Sequence, residues 1–296
     1  MPNLQFDMLN SQRRNSMAPS DATRHPGEGH AGEALVGEAH EPPVKRCSEC
    51  SGTDKPSVSV IMPAFNEEGN LASSVESVRK ALGQLRDFEV IIIDDCSHDA
   101  TGRVADRLAQ EDRRIVVVHN PRNMGLGYNY RKGVELARHD YTLMIPGDNE
   151  IPARSIEAIA DKMGDPDMII PYMLNSHIRP AGRRIISWLF VRTMNVLFGL
   201  HLRYFNGPCA IRSQALKTVP IDTNGFAYMA ASLVRLMKRG HSYVQVGIWL
   251  QEREFGRSKA LRPKNVASVA KTVLSLVLET RLGSAVAMKG AENNPC

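Results

Sequence analysis

The run Val90-Ile91-Ile92-Ile93 is apolar without a break and wholly β-branched, and it stops abruptly at Asp94-Asp95-Cys96-Ser97-His98-Asp99. A strand with no polar alternation is one covered on both faces, as in a parallel sheet layered between helices. Ligands of open α/β sheets sit outside the carboxyl ends of such strands. A carboxylate pair at that edge can accept hydrogen bonds from a base or ribose, or hold a metal for a diphosphate. The run therefore points to a nucleotide site at the end of a parallel strand.

The flanking sequence repeats the pattern. Ser57–Met62 reads as a strand ending at Pro63, followed by the loop Ala64-Phe65-Asn66-Glu67-Glu68 and a helix over about 71–85 with Leu71, Val75, Val78 and Leu82 on one face. A strand at 88–93 precedes a helix at about 100–110, and a strand at 115–119 precedes a helix at 128–138 opened by Gly125 and Gly127. A fourth strand, 141–145, ends in Pro146-Gly147-Asp148-Asn149-Glu150. Strand–helix units in this order imply a right-handed, mostly parallel sheet with its functional edge at the strand C-termini. Beyond it, the sequence predicts a short strand at 167–171, a basic amphipathic helix at 181–199 and a returning strand at 206–212. A helix at 226–239, a strand at 243–250, a basic loop at 251–264 and an amphipathic helix at 265–281 complete the reading.

Three acid-bearing loops thus follow three strands: Asn66-Glu67, Asp94-Asp95 and Asp148-x-Glu150. Each has a plain alternative, since Asn66 or Asp94 could cap a helix and Glu67 could sit in a first turn for the dipole. Convergence on one edge of one sheet favours a site for a nucleotide and a divalent metal. Asp148 and Glu150 offer hard oxygen ligands suited to Mg²⁺ or Mn²⁺, which take few carboxylates together with substrate phosphates. Gly125 and Gly127 are read as permitting a tight turn and close helix packing rather than as a phosphate loop. His98, His119 and His241 lack partners at metal-ligand spacing and are read as incidental.

Charge is informative by position rather than by its total of +5. No acid occurs between Asp167 and Asp222, while Arg179, Arg183, Arg184, Arg192, Arg203, Arg212 and Lys217 all lie there. A one-signed block suggests an anionic partner, and the interleaved Ile185, Ile186, Trp188, Leu189, Phe190 and Val191 favour a membrane surface over nucleic acid. Two plainer readings stay open: Arg183 and Arg184 as snorkelling side chains, and the apolar residues as a core-facing helix. Residues 1–20 lack the apolar core of a secretory signal, and no apolar run approaches the ~18 residues that span a bilayer. Residues 1–54, rich in Gly, Pro, Ser, His and charge, read as a disordered tail, and its Cys47-Ser-Glu-Cys50 as an incidental pair. The five cysteines show no disulfide framework, as expected in a reducing cytosol.

The ordered motifs Met62-Pro63-Ala64-Phe65-Asn66-Glu67-Glu68, Asp94-Asp95-Cys96-Ser97-His98-Asp99, Asn123-x-Gly125-Leu126-Gly127 and Gly147-Asp148-Asn149-Glu150 resemble the family 2 glycosyltransferases. The nearest branch is that of dolichol-phosphate mannose synthases and polyprenyl-phosphate glycosyltransferases. Arg253-Glu-Phe-Gly256-Arg-Ser258-Lys259 is similar to that branch's late Arg-x-x-Gly-x-Ser-Lys signature, and Asn206-Gly207 with Arg212 to its Ser-Gly-Phe-Arg strand. The resemblance spans about 57–261. It implies a GT-A type α/β domain over 55–264, followed by an amphipathic helix and tail at 265–296.

The resemblance also implies roles. Pro63, Ala64, Phe65, Asn66, Glu67, Asp94, Asp95 and Gly147 become contacts to a GDP- or UDP-hexose, with Asp94 on the base or ribose. Asp148 and Glu150 become the metal ligands. Arg253, Ser258 and Lys259 grip the phosphates, with Asp148, Arg253 and Lys259 as the catalytic set. Arg183 and Arg184 are the candidates for an acceptor phosphate.

Two departures from the family pattern matter. Pro146 replaces the first acid of an Asp-x-Asp motif, so metal binding rests on Asp148 with Glu150. The stretch Gly225–Ser232 lacks the acid that serves many relatives as general base. An alcohol is a poor nucleophile without a base, whereas a phosphate monoester is already an anion. The expectation is therefore an inverting transferase acting on a polyprenyl phosphate at the cytosolic face of a membrane. It docks as a peripheral protein through helices 181–199 and 265–281 or through a small membrane subunit, and takes no nucleic acid. A hydroxyl acceptor, a non-catalytic nucleotide-sugar binder and a membrane-surface scaffold are the rivals.

Overall fold

A computed structural model describes residues 56–85, 87–252 and 263–292, with side chains of the last stretch described from 265 to 280. The expected tail over 1–54, Cys47 and Cys50, and Arg253, Ser258 and Lys259 lie outside the described residues.

The strands are β1 (Val58–Ala64), β2 (Phe88–Asp94), β3 (Ile115–His119), β4 (Tyr141–Met144), β5 (Met168–Met173), β6 (Ala210–Arg212) and β7 (Tyr243–Ile248). They form one sheet in the order β3-β2-β1-β4-β6-β5-β7, parallel except that β6 runs against both β4 and β5. The helices are α1 (Leu71–Leu82), α2 (Thr101–Glu111), α3 (Leu126–Leu136), α4 (Ala153–Ala160), α5 (Ala181–Phe198), α6 (Ser213–Leu216), α7 (Tyr228–Lys238) and α8 (Pro263–Glu292), with a 3₁₀ turn at Ser176–Ile178.

Two cores explain the unbroken apolar strands. Val60, Met62, Val90 and Ile92 face one layer, packed with Leu71, Val75 and Val78 of α1 and Ile156 and Ile159 of α4. Ile61, Ile91 and Ile93 face the other, packed with Tyr130 and Val134 of α3, Leu233 of α7 and Met194 and Phe198 of α5. Alternate residues of a strand serve opposite faces, so a strand covered twice must be apolar at every position. Each such side chain contributes about 1.5–3 kcal/mol on burial, and truncating one to alanine costs about 2–5 kcal/mol.

Register fixes the edge where function can sit. Ala64 lies level with Asp94, Asp94 with His119, and Ile61 with Met144. Because β2, β1 and β4 are parallel neighbours, the loops after them leave the sheet side by side.

Several boundaries differ from the sequence reading for local reasons. β1 continues through Pro63, whose carbonyl accepts the Gly147 N–H at 3.0 Å even though its own nitrogen cannot donate. The returning strand shrinks to 210–212 because Gly207-Pro208 makes a turn, in which the Cys209 N–H donates to the Gly207 carbonyl. β7 ends at Ile248, since the next backbone groups leave the ladder: the Trp249 N–H donates to Ser155 Oγ and the Leu250 N–H to Asn175 Oδ1. α5 stops where Gly199 adopts a left-handed conformation (φ 61°). The final helix is longer than the expected 265–281, and α4 and α6 are additional.

Candidate active site

Three loops leave adjacent strand ends, and their side chains tie them into one rim. The Asn66 N–H donates to Ser97 Oγ at 3.0 Å, and the His98 N–H donates to Asn66 Oδ1 at 2.9 Å. The Glu67 N–H donates to Thr101 Oγ1 at 2.7 Å, and Asn70 Nδ2 holds the Glu67 carboxylate at 2.7 Å. The loops after β1 and β2 are thereby joined. On the third loop, the Asn149 N–H donates to Ser74 Oγ at 2.8 Å, the Glu150 N–H donates to Asp148 Oδ1 at 3.2 Å, and Gln251 donates to the Asn149 and Glu150 carbonyls.

Each of the three loops carries a non-glycine residue in the left-handed region: Asn66 (φ 57°), Cys96 (φ 61°) and Asn149 (φ 54°). Such residues are uncommon, and their recurrence at one edge marks a place where loop shape takes precedence over local comfort.

Above this rim lies a cavity of about 1260 Å³. Of the residues singled out in the sequence, Pro63, Ala64, Phe65, Asn66, Glu67, Asp95, Gly147, Asp148, Glu150 and Arg183 all line it. A Cβ at Gly147 would meet Leu71 Cδ1 at 3.1 Å and the Ala64 Cβ at 3.3 Å, so a side chain there would have to displace its neighbours by a few tenths of an ångström.

Asp94 and Arg184 are not on the cavity wall. Asp94 is the last residue of β2; its Oδ1 accepts the Ser97 N–H at 3.1 Å, and its Oδ2 lies 3.1 Å from His119 Nδ1. Arg184 is exposed on the first turn of α5. His119 is not incidental: its Nε2 also lies 3.0 Å from Asp106 Oδ1, and the two carboxylates raise its pKa above the usual imidazole value, the Asp94 bond contributing most.

Asp95 anchors the glycine loop. Its carboxylate accepts hydrogen bonds from Asn120 Nδ2 (2.8 Å), the Met124 N–H (2.8 Å) and the Gly125 N–H (3.0 Å). Gly125, at φ 91°, and Gly127 pass so close to Asn224 and Thr223 that no Cβ fits at either position. The glycines thus permit close packing against the segment 223–225, and Gly125, Asn224 and Gly225 also line the cavity.

A second part of the lining, packed on the glycine loop, differs in character. Asn224, Gly225, Phe226, Tyr228 and Met229 line it without an acid, and all four acids of the described lining, Glu67, Asp95, Asp148 and Glu150, come from the rim. Arg179 also lines the cavity; its Nη2 is 3.5 Å from Glu150 Oε2 while its Nη1 donates to the Tyr204 hydroxyl at 3.2 Å. The sequence signalled Arg179 only as one member of the acid-free block. Ile186, Leu189, Phe190 and Leu197 of α5 and Val266, Val269, Val273 and Val277 of α8 also line the cavity and form its apolar arm.

Among the described residues no group of three or more His, Cys, Asp or Glu side chains is gathered for a metal. The donors present still fit one: Asp148, and Glu150 beside it, supply hard oxygens at a cavity, which suits a cation that draws its other ligands from water and substrate phosphates.

A family model described as "Glycosyl transferase family 2" matches residues 59–218. An undecaprenyl-phosphate mannosyltransferase of Micrococcus luteus is 29% identical over 221 residues, covering 68% of this chain and 86% of the relative. A polyprenol monophosphomannose synthase of Mycolicibacterium smegmatis is 28% identical, covering 68% and 79%. The fold is similar to glucosyl-3-phosphoglycerate synthase from Mycobacterium tuberculosis, crystallised with Mn²⁺, UDP-glucose and phosphoglyceric acid. That match has a TM-score of 0.60 at 17% identity and covers 75% of this chain and 80% of that one. The expected fold, a mostly parallel α/β sheet of GT-A type, is the one found.

Proposed function

The chain belongs to glycosyl transferase family 2, and on that premise we propose that it moves a hexose from a nucleotide-diphosphate sugar to a polyprenyl phosphate. One observation carries this reading: a single cavity joins an acidic rim at the strand ends to an apolar arm between α5 and α8. The rim suits a nucleotide diphosphate and its cation, and the arm suits an isoprenoid chain. The names of the two bacterial relatives, an undecaprenyl-phosphate mannosyltransferase and a polyprenol monophosphomannose synthase, support the same acceptor class.

In this reading Pro63, Ala64, Phe65, Asn66, Glu67 and Asp95 border the GDP or UDP moiety, and Gly147 keeps the third loop low beneath it. Asp148 and Glu150 would hold Mg²⁺ or Mn²⁺, which supplies positive charge to the diphosphate as it departs. Arg179 and Arg183 stand where the rim meets the arm and bind the acceptor phosphate, Arg179 by exchanging its Glu150 partner for the substrate. Arg253, Ser258 and Lys259 are assigned to the donor phosphates from sequence. The acceptor oxygen attacks the anomeric carbon in line with the leaving diphosphate and inverts its configuration. The lining contributed by residues 224–229, without an acid, needs none, because a phosphate monoester is already ionised.

Attachment to a membrane follows from the same arm. Ile185, Ile186, Trp188 and Leu189 on α5 and Val266, Leu274 and Leu278 on α8 are exposed. No described helix is long and apolar enough to cross a bilayer. The enzyme would rest on the cytosolic face, its exposed helix faces among lipid headgroups and its basic residues toward anionic lipid, alone or with a small membrane subunit.

Incubation of the full chain with labelled GDP- or UDP-hexoses, Mn²⁺ and either polyprenyl phosphates or the corresponding alcohols tests the proposal. Product from the phosphates is expected. Turnover of alcohols alone would overturn the acceptor assignment, and nucleotide binding without any turnover would make the chain a binder.

A further inference from the structure

Helix α8 forms one wall of the cavity through Val266, Val269, Val273 and Val277. Within 265–280 only Leu276 is fully buried, at 1% exposure. Leu274 and Leu278 are exposed, and Val273 and Val277 pack against the core only partly buried. Polar contacts add to this apolar packing. Thr272 Oγ1 lies 3.2 Å from Thr223 Oγ1, and Ser268 abuts Gly225, where a Cβ would come within 2.6 Å of its Oγ. Further along the helix, Glu279 meets Arg235.

Arg235 is unusual in this chain. It projects from α7 with only 5% of its surface exposed, and every one of its five N–H donors is used. Nε and Nη2 donate to the Glu279 carboxylate, the shortest at 2.7 Å. Nη2 and Nη1 donate to Asp222, at 2.8 and 3.1 Å, and Nη1 also to the Pro220 carbonyl at 2.7 Å. A planar guanidinium thus clamps two carboxylates side-on, the arrangement that gives arginine its geometric specificity.

Asp222 is no bystander. It begins the segment Asp222–Gly225, whose Asn224 and Gly225 line the cavity. The same segment is held from the other side: Arg131 of α3 donates to the Ile221 carbonyl at 2.7 Å, and the Gly127 N–H to the Asn224 carbonyl at 3.0 Å. Arg235 therefore joins the cavity-lining 222–225 segment to α8.

We propose that Arg235, with Asp222 and Glu279, is a latch that fixes α8 as the wall of the apolar arm, and that Arg235 is a positioning residue for whatever occupies it. The inference rests on the cavity reading given above and deepens it: Arg235 acts on the acceptor's chain through α8, without touching substrate. Opening the latch lets α8 swing from the arm, and the acceptor loses contacts that the donor never makes. With one fully buried side chain among its described residues, this helix has modest apolar packing to resist local opening, so removing a bidentate ion pair from it changes its opening measurably.

The test compares the full chain with Glu279→Ala and Glu279→Gln, which alter an exposed side chain, and with Lys271→Ala on an exposed α8 position as control. Two measurements are made: hydrogen exchange of the α8 amides, and steady-state kinetics with a long and a short polyprenyl phosphate, alongside titration with UDP and GDP in Mn²⁺. Glu279→Ala is expected to speed α8 exchange and raise KM for the long acceptor, each about tenfold, with a smaller rise for the short one. The kcat and the nucleotide Kd should stay within about twofold, Glu279→Gln should fall between, and Lys271→Ala should match wild type. Unchanged α8 exchange, or faster exchange with an unmoved acceptor KM, would overturn the latch. If wild type ignores polyprenyl phosphates and uses alcohols, the acceptor reading fails separately. The latch is then judged by the same exchange and by KM for the alcohol turned over; if nothing is turned over, exchange alone decides it.

Discussion

Asp94 and Asp95 are neighbours in the chain and serve different structures. Asp94 turns to His119 and the Ser97 N–H, while Asp95 gathers Asn120, Met124 and Gly125 and borders the cavity. The pair therefore divides its work, and substitutions should separate it. Asp95→Ala leaves two backbone N–H groups without their acceptor, each worth about 1–3 kcal/mol when stranded. A loss of about 2–4 kcal/mol in urea unfolding is expected, with nucleotide binding lost at the displaced glycine loop. Asp94→Asn keeps an acceptor for Ser97 and sacrifices only a half-exposed ion pair, for about 1 kcal/mol or less. Equal effects in both variants would contradict this division.

The His119 bridge carries a pH signature. Bonding both carboxylates at once requires the imidazolium, since a neutral ring has a single N–H to give. The folded-state pKa is raised above the unfolded value of 6.5. The stabilisation is therefore fully present below pH 6.5 and is lost as pH rises through the raised folded value. Because the side chain is 46% exposed, solvent screening keeps the contribution to less than about 1 kcal/mol. The difference in urea midpoint between wild type and His119→Asn should be largest near pH 5.5 and shrink toward about pH 9. A difference that widened with pH would refute the bridge.

Asp148 and Asp99 offer a contrast between a site acid and a loop acid. Asp148 lines the cavity, whereas Asp99 accepts hydrogen bonds from the Thr101 N–H and hydroxyl and from the Glu68 N–H. Burial raises the Asp99 pKa, but these hydrogen bonds outweigh it and leave the value lowered. Asp148→Ala is expected to cut kcat at least about 100-fold, as when charge stabilisation of a leaving group is removed. Asp99→Ala should cost about 1 kcal/mol of stability, as for a lost helix-start cap, and leave most of the turnover. Chelation with EDTA should abolish activity and added Mn²⁺ restore it, read by release of labelled nucleotide.

How far the sequence reveals this site depends on whether the relevant contacts are local. β2 and its acid pair were legible because strand burial and loop position are written in consecutive residues, and the rim followed from parallel register. The reading failed for what is set by tertiary partners. Nothing within 90–99 says that Asp94 will meet His119, 25 residues later, while Asp95 turns to the glycine loop. Arg179, Arg235 and Glu279 were equally hidden, because their partners come from other elements and their charge alone suits a solvated surface. Helix α8 reads as amphipathic from sequence, but that it walls the cavity is set by tertiary partners, through Leu276 in the core and Thr272 at Thr223.

Arg179 is the remaining test of how rim and arm cooperate. It stands between Glu150, on the third loop, and Tyr204, with its side chain only 14% exposed, and all three residues line the cavity. A cation at that junction either serves Glu150 structurally or is handed to an incoming phosphate. The second role predicts that Arg179→Ala raises acceptor KM and lowers kcat/KM by about 10- to 100-fold, the size of a lost charge-assisted contact. Arg179→Lys should recover part of this, since a point charge remains without the planar fork. Tyr204→Phe, which removes one hydrogen bond to the guanidinium, should cost about 0.5–1.5 kcal/mol and little turnover. Were Arg179 only a partner for Glu150, Arg179→Ala would weaken Mn²⁺-dependent nucleotide binding and leave acceptor KM in place. Measuring nucleotide Kd and acceptor KM on the same variant therefore distinguishes the two roles.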